Sequence, residues 1–161
     1  MSEKVMKSGD VIPFPLQHGG EKIDVLVRVD DKERGYYFNL VFVEKRDWPK
    51  EKKDLLRRAF EGFARIEEPI QPYPVKLRFH LDSADDKSDV HVERVRAERS
   101  SAYVTHYPDG WNTTSDIWRA NAIHGAVLEP GLYRVRIENL SPCPDFDFET
   151  LFQFERNNRQ Y

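Results

Sequence analysis

Period-two alternation of apolar and polar residues, recurring along the chain with a single interruption, is the feature that most constrains how this sequence folds. Residues 22 to 29 place Ile23, Val25, Val27 and Val29 on one side and Lys22, Asp24 and Arg28 on the other, the pattern of a half-buried strand. Segment 74 to 82 repeats it, with Val75, Leu77, Phe79 and Leu81 against Lys76, Arg78 and His80. Near the C-terminus Tyr133, Val135 and Ile137 alternate with Arg134, Arg136 and Glu138, and Phe146, Phe148, Phe152 and Phe154 share one parity with Thr150. Tyr36 to Val43 is apolar on both faces, which suits a central strand covered on both sides. Val90 and Val92 share a face but Val95 and Ala97 fall on the other, so a bulge near Glu93 and Arg94 is expected. Residues 101 to 107 read as a weaker strand, and 116 to 128 is apolar with poor periodicity. About eight strands without interposed helices point to a mainly β fold, an antiparallel β-sandwich of jelly-roll or immunoglobulin-like type.

The interruption is helical. Between Trp48 and Ile66, Leu55, Leu56, Ala59, Phe60 and Phe63 recur at helical spacing while Lys52, Lys53, Arg57, Arg58 and Glu61 occupy the opposite face, which predicts one amphipathic helix over about 49 to 65. Asp47 is the expected N-cap, Pro49 is tolerated in the first turn, and Pro69 lies beyond the end. Its apolar stripe is suited to closing an open end or edge of the sandwich.

At 161 residues the chain is the size of one domain, 1 to 161, with flexible ends expected at 1 to 10 and 156 to 161. The 10 Phe, 7 Tyr and 3 Trp supply enough apolar area for a core, which argues against disorder. A formal charge of −3 disfavours a nucleic-acid partner held by bulk positive charge. No apolar run reaches the ~18 residues of a transmembrane helix, and the first ten residues contain no apolar core of a signal peptide. The expected location is periplasmic if an export signal has been removed, and cytoplasmic otherwise.

Candidate chemistry is sparse. The five histidines, His18, His80, His91, His106 and His124, have neither the HExxH order nor the i, i+4 spacing of a zincin. Asp82 to Asp89 resembles a calcium loop only superficially: with Asp82 first, Ala84 stands at position 3 and Lys87 where glycine is needed. A solvated hairpin turn is the better reading, and no metal is expected. No GxSxG, GxGxxG or P-loop occurs, so no catalytic residue and no cofactor is assigned. The single cysteine, Cys143, lies between Pro142 and Pro144 without a neighbouring base, and reads as a structural thiol.

The stretch best suited to recognition is 105 to 116. Pro108-Asp109-Gly110 followed by Trp111 predicts a turn. Tyr107 and Trp111 at its tip would form an anchor, with Asp109 and Asn112 as directional polar contacts. Alternatively Trp111 folds back over the core. A sugar-stacking platform would use Tyr107, Trp111 and Trp118. The basic helix face is the next candidate surface.

The two-sided strand Gly35 to Phe42, the charged helix with Leu55-Leu56, the segment Pro74 to Phe79 and the run Leu128-Glu129-Pro130-Gly131-Leu132-Tyr133-Arg134-Val135-Arg136-Ile137-Glu138-Asn139-Leu140 together resemble an uncharacterised bacterial family of unknown function. Its members are small, often exported β-sandwich proteins, some of them encoded near secretion-system toxins. The resemblance covers about residues 20 to 155 and hands over no catalytic residue, and the chain start has no lipobox cysteine. It implies a non-enzymatic protein-binding domain, most concretely an immunity protein that neutralises a cognate secreted toxin. A carbohydrate- or small-ligand-binding module is the alternative. Residue by residue, Glu129-Pro130-Gly131 is a tight turn that launches a strand burying Tyr133, Val135 and Ile137.

Overall fold

The alternating segments become strands of two five-stranded sheets in a computed structural model that describes residues 4–30, 34–61, 74–97, 102–104 and 116–156. In chain order the elements are β1 (Val5–Met6), β2 (Val11–Pro13), β3 (Lys22–Val29), β4 (Arg34–Lys45), α1 (Lys50–Glu61), β5 (Leu77–Ser83), β6 (His91–Arg96), β7 (Ala102–Val104), β8 (Asp116–Leu128), β9 (Gly131–Asn139) and β10 (Thr150–Arg156). The first sheet runs β1-β3-β9-β5-β6 and the second β2-β10-β4-β8-β7. Neighbours are antiparallel except β1, which lies parallel to β3. The fold is a β-sandwich, as the alternation predicts, with two short N-terminal strands that the sequence does not announce.

The core lies between the sheets. Ile23, Val27 and Val29 from β3, Leu77, Phe79 and Leu81 from β5, and Tyr133, Val135 and Ile137 from β9 meet Phe38, Leu40, Phe42, Phe152 and Phe154 of the second sheet. The Phe38 ring stands 5.3 Å from that of Phe79 and 5.4 Å from that of Phe154. Burying each such ring contributes roughly 1.5–3 kcal/mol relative to leaving it in water. The two-sided apolar run is strand β4, central in its sheet and buried on both faces: Val41 and Val43 join Trp118, Ala120 and Leu151 in a second cluster on the sheet's outer side.

Helix α1 packs against β4 and β8 and sends Leu56 and Ala59 into the main core, with Leu55 partly buried beside them. The Phe60 side chain and Phe63 fall outside the described residues. The Pro49 carbonyl accepts from Lys52 and Lys53 N–H, both at 3.2 Å, so the cap position belongs to Pro49, two residues beyond the Asp47 expected from residue preference. Arg57 reaches Glu44 of β4 at 3.3 Å, and Arg119 of β8 holds the second oxygen of the same buried carboxylate.

The bulge expected in β6 is corrected. No bulge interrupts β6: its register against β5 runs unbroken from Leu77↔Arg96 to Asp82↔His91. Arg94 and Arg96 therefore share the inward parity of Val92, and Val95 is left 49% exposed. Edge strands commonly carry inward charges, which discourage pairing with another chain. The register shift occurs instead where β4 meets β8, between Phe38↔His124 and Asn39↔Ala122. The extra residue, Ile123, turns the alternation of β8 over half-way along, which is why its periodicity looks poor. Residues 5 to 10 carry strand β1 and the turn that follows it. Met6 is fully buried, Gly9 N–H donates to the Phe154 carbonyl at 2.7 Å, and Lys7 N–H donates to Asp10.

The Glu129-Pro130-Gly131 turn forms as expected and is buttressed from two sides. Tyr133 Oη donates to the Glu129 carbonyl at 2.7 Å, and the Asp85 carboxylate accepts from Leu132 N–H at 2.9 Å. Gly131 adopts φ +156°, and a Cβ there would lie 3.1 Å from Asp85 Oδ2. The acidic hairpin 84 to 89 thus docks onto the neighbouring turn.

Candidate functional site

Most of the residues singled out for recognition, Tyr107, Asp109, Trp111 and Asn112, lie outside the described residues. Trp118 is described and does not present a stacking surface: it is 1% exposed, packed with Val41, Val43, Ala120 and Leu151. Its place between two strands of a sheet covered on both faces makes it a packing residue.

The outer face of the first sheet is a polar surface built by four of its strands. Because β3, β9, β5 and β6 are in continuous register, their outward residues form rows across the sheet. One row is Lys22, Glu138, Arg78 and Val95; the next is Asp24, Arg136, His80 and Glu93; the third is Leu26, Arg134, Asp82 and His91. Acidic and basic residues face each other along the rows, and β9 contributes two successive outward arginines, Arg134 and Arg136. Arg134 donates to Asp24 at 2.6 Å, Arg136 to Asp82 at 3.3 Å and Arg78 to Glu138 at 3.5 Å. His80 faces Glu93 at 3.9 Å, and His91 Nδ1 contacts Asp82 Oδ1.

Asp82 is the node of this grid. Its burial would raise the carboxyl pKa, but the hydrogen bonds and charges of His91 and Arg136 outweigh it and hold the group below the ordinary carboxylate range. Each carboxylate of this face thus lies beside a basic side chain. The acidic hairpin is similarly engaged: Asp85 accepts from the Leu132 and Lys87 backbones, which lowers its pKa despite slight desolvation. Among the described residues no three His, Cys, Asp or Glu side chains converge as a metal set. Cys143 is buried, its thiol directed at the Pro74 and Ser141 carbonyls. Burial first, and then Glu21 and Asp145, push its pKa up to about 11, so it stays a protonated packing group.

The residues of this grid were legible individually as outward positions of alternating strands. Their assembly was not, because it requires the order β3-β9-β5-β6, which joins segments far apart in the chain. Charged residues at successive outward positions were the available signal.

The sequence matches the family described as Domain of unknown function (DUF5625) over residues 11–155. The chain belongs to that family. The match takes in both sheets except β1 and the last residue of β10, so the family's defining unit is the sandwich itself. Among curated proteins none matches. A crystal structure of a protein from Sulfurospirillum deleyianum is similar with a TM-score of 0.57, covering 93% of this chain and 98% of that one at 14% identity. That likeness is one of fold. No helix described is long and apolar enough to cross a membrane.

Proposed function

We propose that this member of the DUF5625 family is a non-enzymatic protein-binding domain, most concretely an immunity protein that blocks a secreted toxin, with the outer face of β3, β9, β5 and β6 as its contact surface. The observation that supports this reading is the aligned grid of charged residues, with acids and bases paired across neighbouring strands. Exposed ion pairs contribute little to the stability of the chain that carries them. Set out in rows on an open sheet face, they suit a partner of complementary pattern, steering its approach and setting its register. Arg134 and Arg136 lie at the centre of the grid, and arginine is among the residues that most often dominate binding energy. The 105 to 116 loop remains a second candidate contact. A sugar platform is less favoured, since Trp118 is buried.

The test is to produce the protein encoded by the adjacent reading frame and measure binding by calorimetry and stopped-flow mixing. A complex whose association slows with added salt is expected, weakened by at least about 2 kcal/mol in the Arg134→Glu, Arg136→Glu variant. A complex indifferent to that double reversal but lost on Trp111→Ala would move the contact to the loop. Saturable binding of an oligosaccharide, lost in Trp111→Ala, would overturn the protein-partner reading.

A further inference from the structure

On the opposite side of the first sheet, Arg94 does something no other arginine of the described ion pairs does. Arg28, Arg57, Arg78, Arg119, Arg134 and Arg136 each face a carboxylate. Arg94 projects inward from edge strand β6, in register with Phe79, and its Nη1 lies 3.4 Å from the Nδ1 of His124 on β8. Among the described residues no carboxylate pairs with it. A guanidinium only donates, so His124 Nδ1 must be the acceptor in this contact, and the ring proton then resides on Nε2. The ring is held in place by Phe79, at 5.1 Å between centroids, and by Phe38, at 6.2 Å. Partial burial, with the Arg94 charge adding to it, lowers the His124 pKa and keeps the imidazole neutral.

We propose that the mouth of the sandwich between β6 and β8 is an oxyanion site, where the carboxylate or phosphate group of a small ligand pairs with Arg94 beside the His124 ring. A half-buried guanidinium with N–H donors beyond the one that meets His124 Nδ1, and with no acid in contact among the described residues, complements an acceptor-only, negatively charged group. The planar fork suits two oxygens of one such group. Inward charge at a sheet edge also serves to prevent edge pairing. That role needs no imidazole, and a lysine would fill it equally. The site faces away from the charged grid of the outer surface, so it stands or falls independently of the proposed protein contact.

The test uses the full chain, titrated with inorganic phosphate and with acetate at constant ionic strength in chloride, following the His124 imidazole signals by NMR. The expected result is a saturable change at His124, with an upward displacement of its titration midpoint because a bound anion offsets the Arg94 charge. Reciprocally, the anion binds more tightly as His124 protonates. Arg94→Gln should weaken binding about tenfold or more and Arg94→Lys less, since the point charge is kept and the fork lost. Lys7→Gln, which removes one positive charge from the exposed connection between β1 and β2, should change nothing. Saturation by phosphate alone identifies a tetrahedral dianion as the preferred group, and saturation by acetate a carboxylate; both support the site. A linear, non-saturating response to both anions in the unaltered chain overturns it, whatever the variants do. So does a saturable response that survives Arg94→Gln in a variant with an unchanged circular dichroism spectrum.

Discussion

Gly131 shows at the scale of one residue how this chain combines turn chemistry with tertiary contact. Its φ of +156° is open to glycine at little cost, and the Asp85 carboxylate occupies the space a Cβ would need. Gly131→Ala should destabilise the domain by about 1–3 kcal/mol, the cost of a strained backbone conformation, measured by urea unfolding; a change inside 0.5 kcal/mol, ordinary for a surface substitution, would refute the assignment. Asp85, Asp82 and Glu21 bear on acid stability. Asp85 is lowered by backbone hydrogen bonds. In Asp82 and Glu21 the hydrogen bonds, with the nearby cations in the case of Asp82, overcome burial. Each has a folded pKa below its unfolded value. Their stabilisation is therefore complete above the unfolded values, near pH 4, and is lost as the pH falls through the folded ones. Denaturant midpoints should decline over that acid range, and Asp85→Asn should flatten the decline.

At the scale of an element, α1 joins the sandwich by a small set of contacts. Leu56 is fully buried in the main core, and the next residue, Arg57, pairs with the buried Glu44 of β4. Leu56→Ala should cost about 2–5 kcal/mol, the range for a core leucine that leaves a cavity. Thermal unfolding of the variant checks this, and a loss under about 0.5 kcal/mol would mean that the helix does not use this face. Strands β6 and β8 show the reverse of α1, elements whose side-chain pattern misleads. The sequence suggests a bulge in β6 because two valines disagree in parity, whereas Val95 simply faces water and two arginines face in. In β8 the irregularity is real and lies at Ile123, hidden by apolar residues on both sides of the strand.

At the scale of the whole molecule, the two sheets depend on pairings between distant segments. Leu151 and Phe152 of β10 meet Pro13 and Ile12 of β2 on one side and Val41 and Leu40 of β4 on the other. The loop after β2 is sewn in as well: Thr150 Oγ1 donates to the Phe14 carbonyl at 2.6 Å, and the buried Asn139 donates to the Leu16 carbonyl at 2.9 Å. Apolar packing and hydrogen bonds carry this assembly, and among the described residues no metal set contributes to it. Treatment with EDTA should leave the thermal midpoint unchanged, and a large downward shift would show that a bound ion is part of the folded state.

By itself the sequence determined what each segment is. Alternation specified the half-buried strands β3, β5 and β9, two-sided apolarity specified the central β4, and 3.6-residue spacing specified α1, because these periods follow from local backbone geometry. The Glu129-Pro130-Gly131 turn was legible for the same reason. Only the tertiary structure decided which strands are neighbours. That order aligned Asp24, Arg136, Asp82 and His91 into one charged face, buried Trp118, and brought Arg94 to His124 from segments 30 residues apart. Strand pairing is non-local, and the energy that selects one register over another comes from the burial of whole faces, which no single segment encodes.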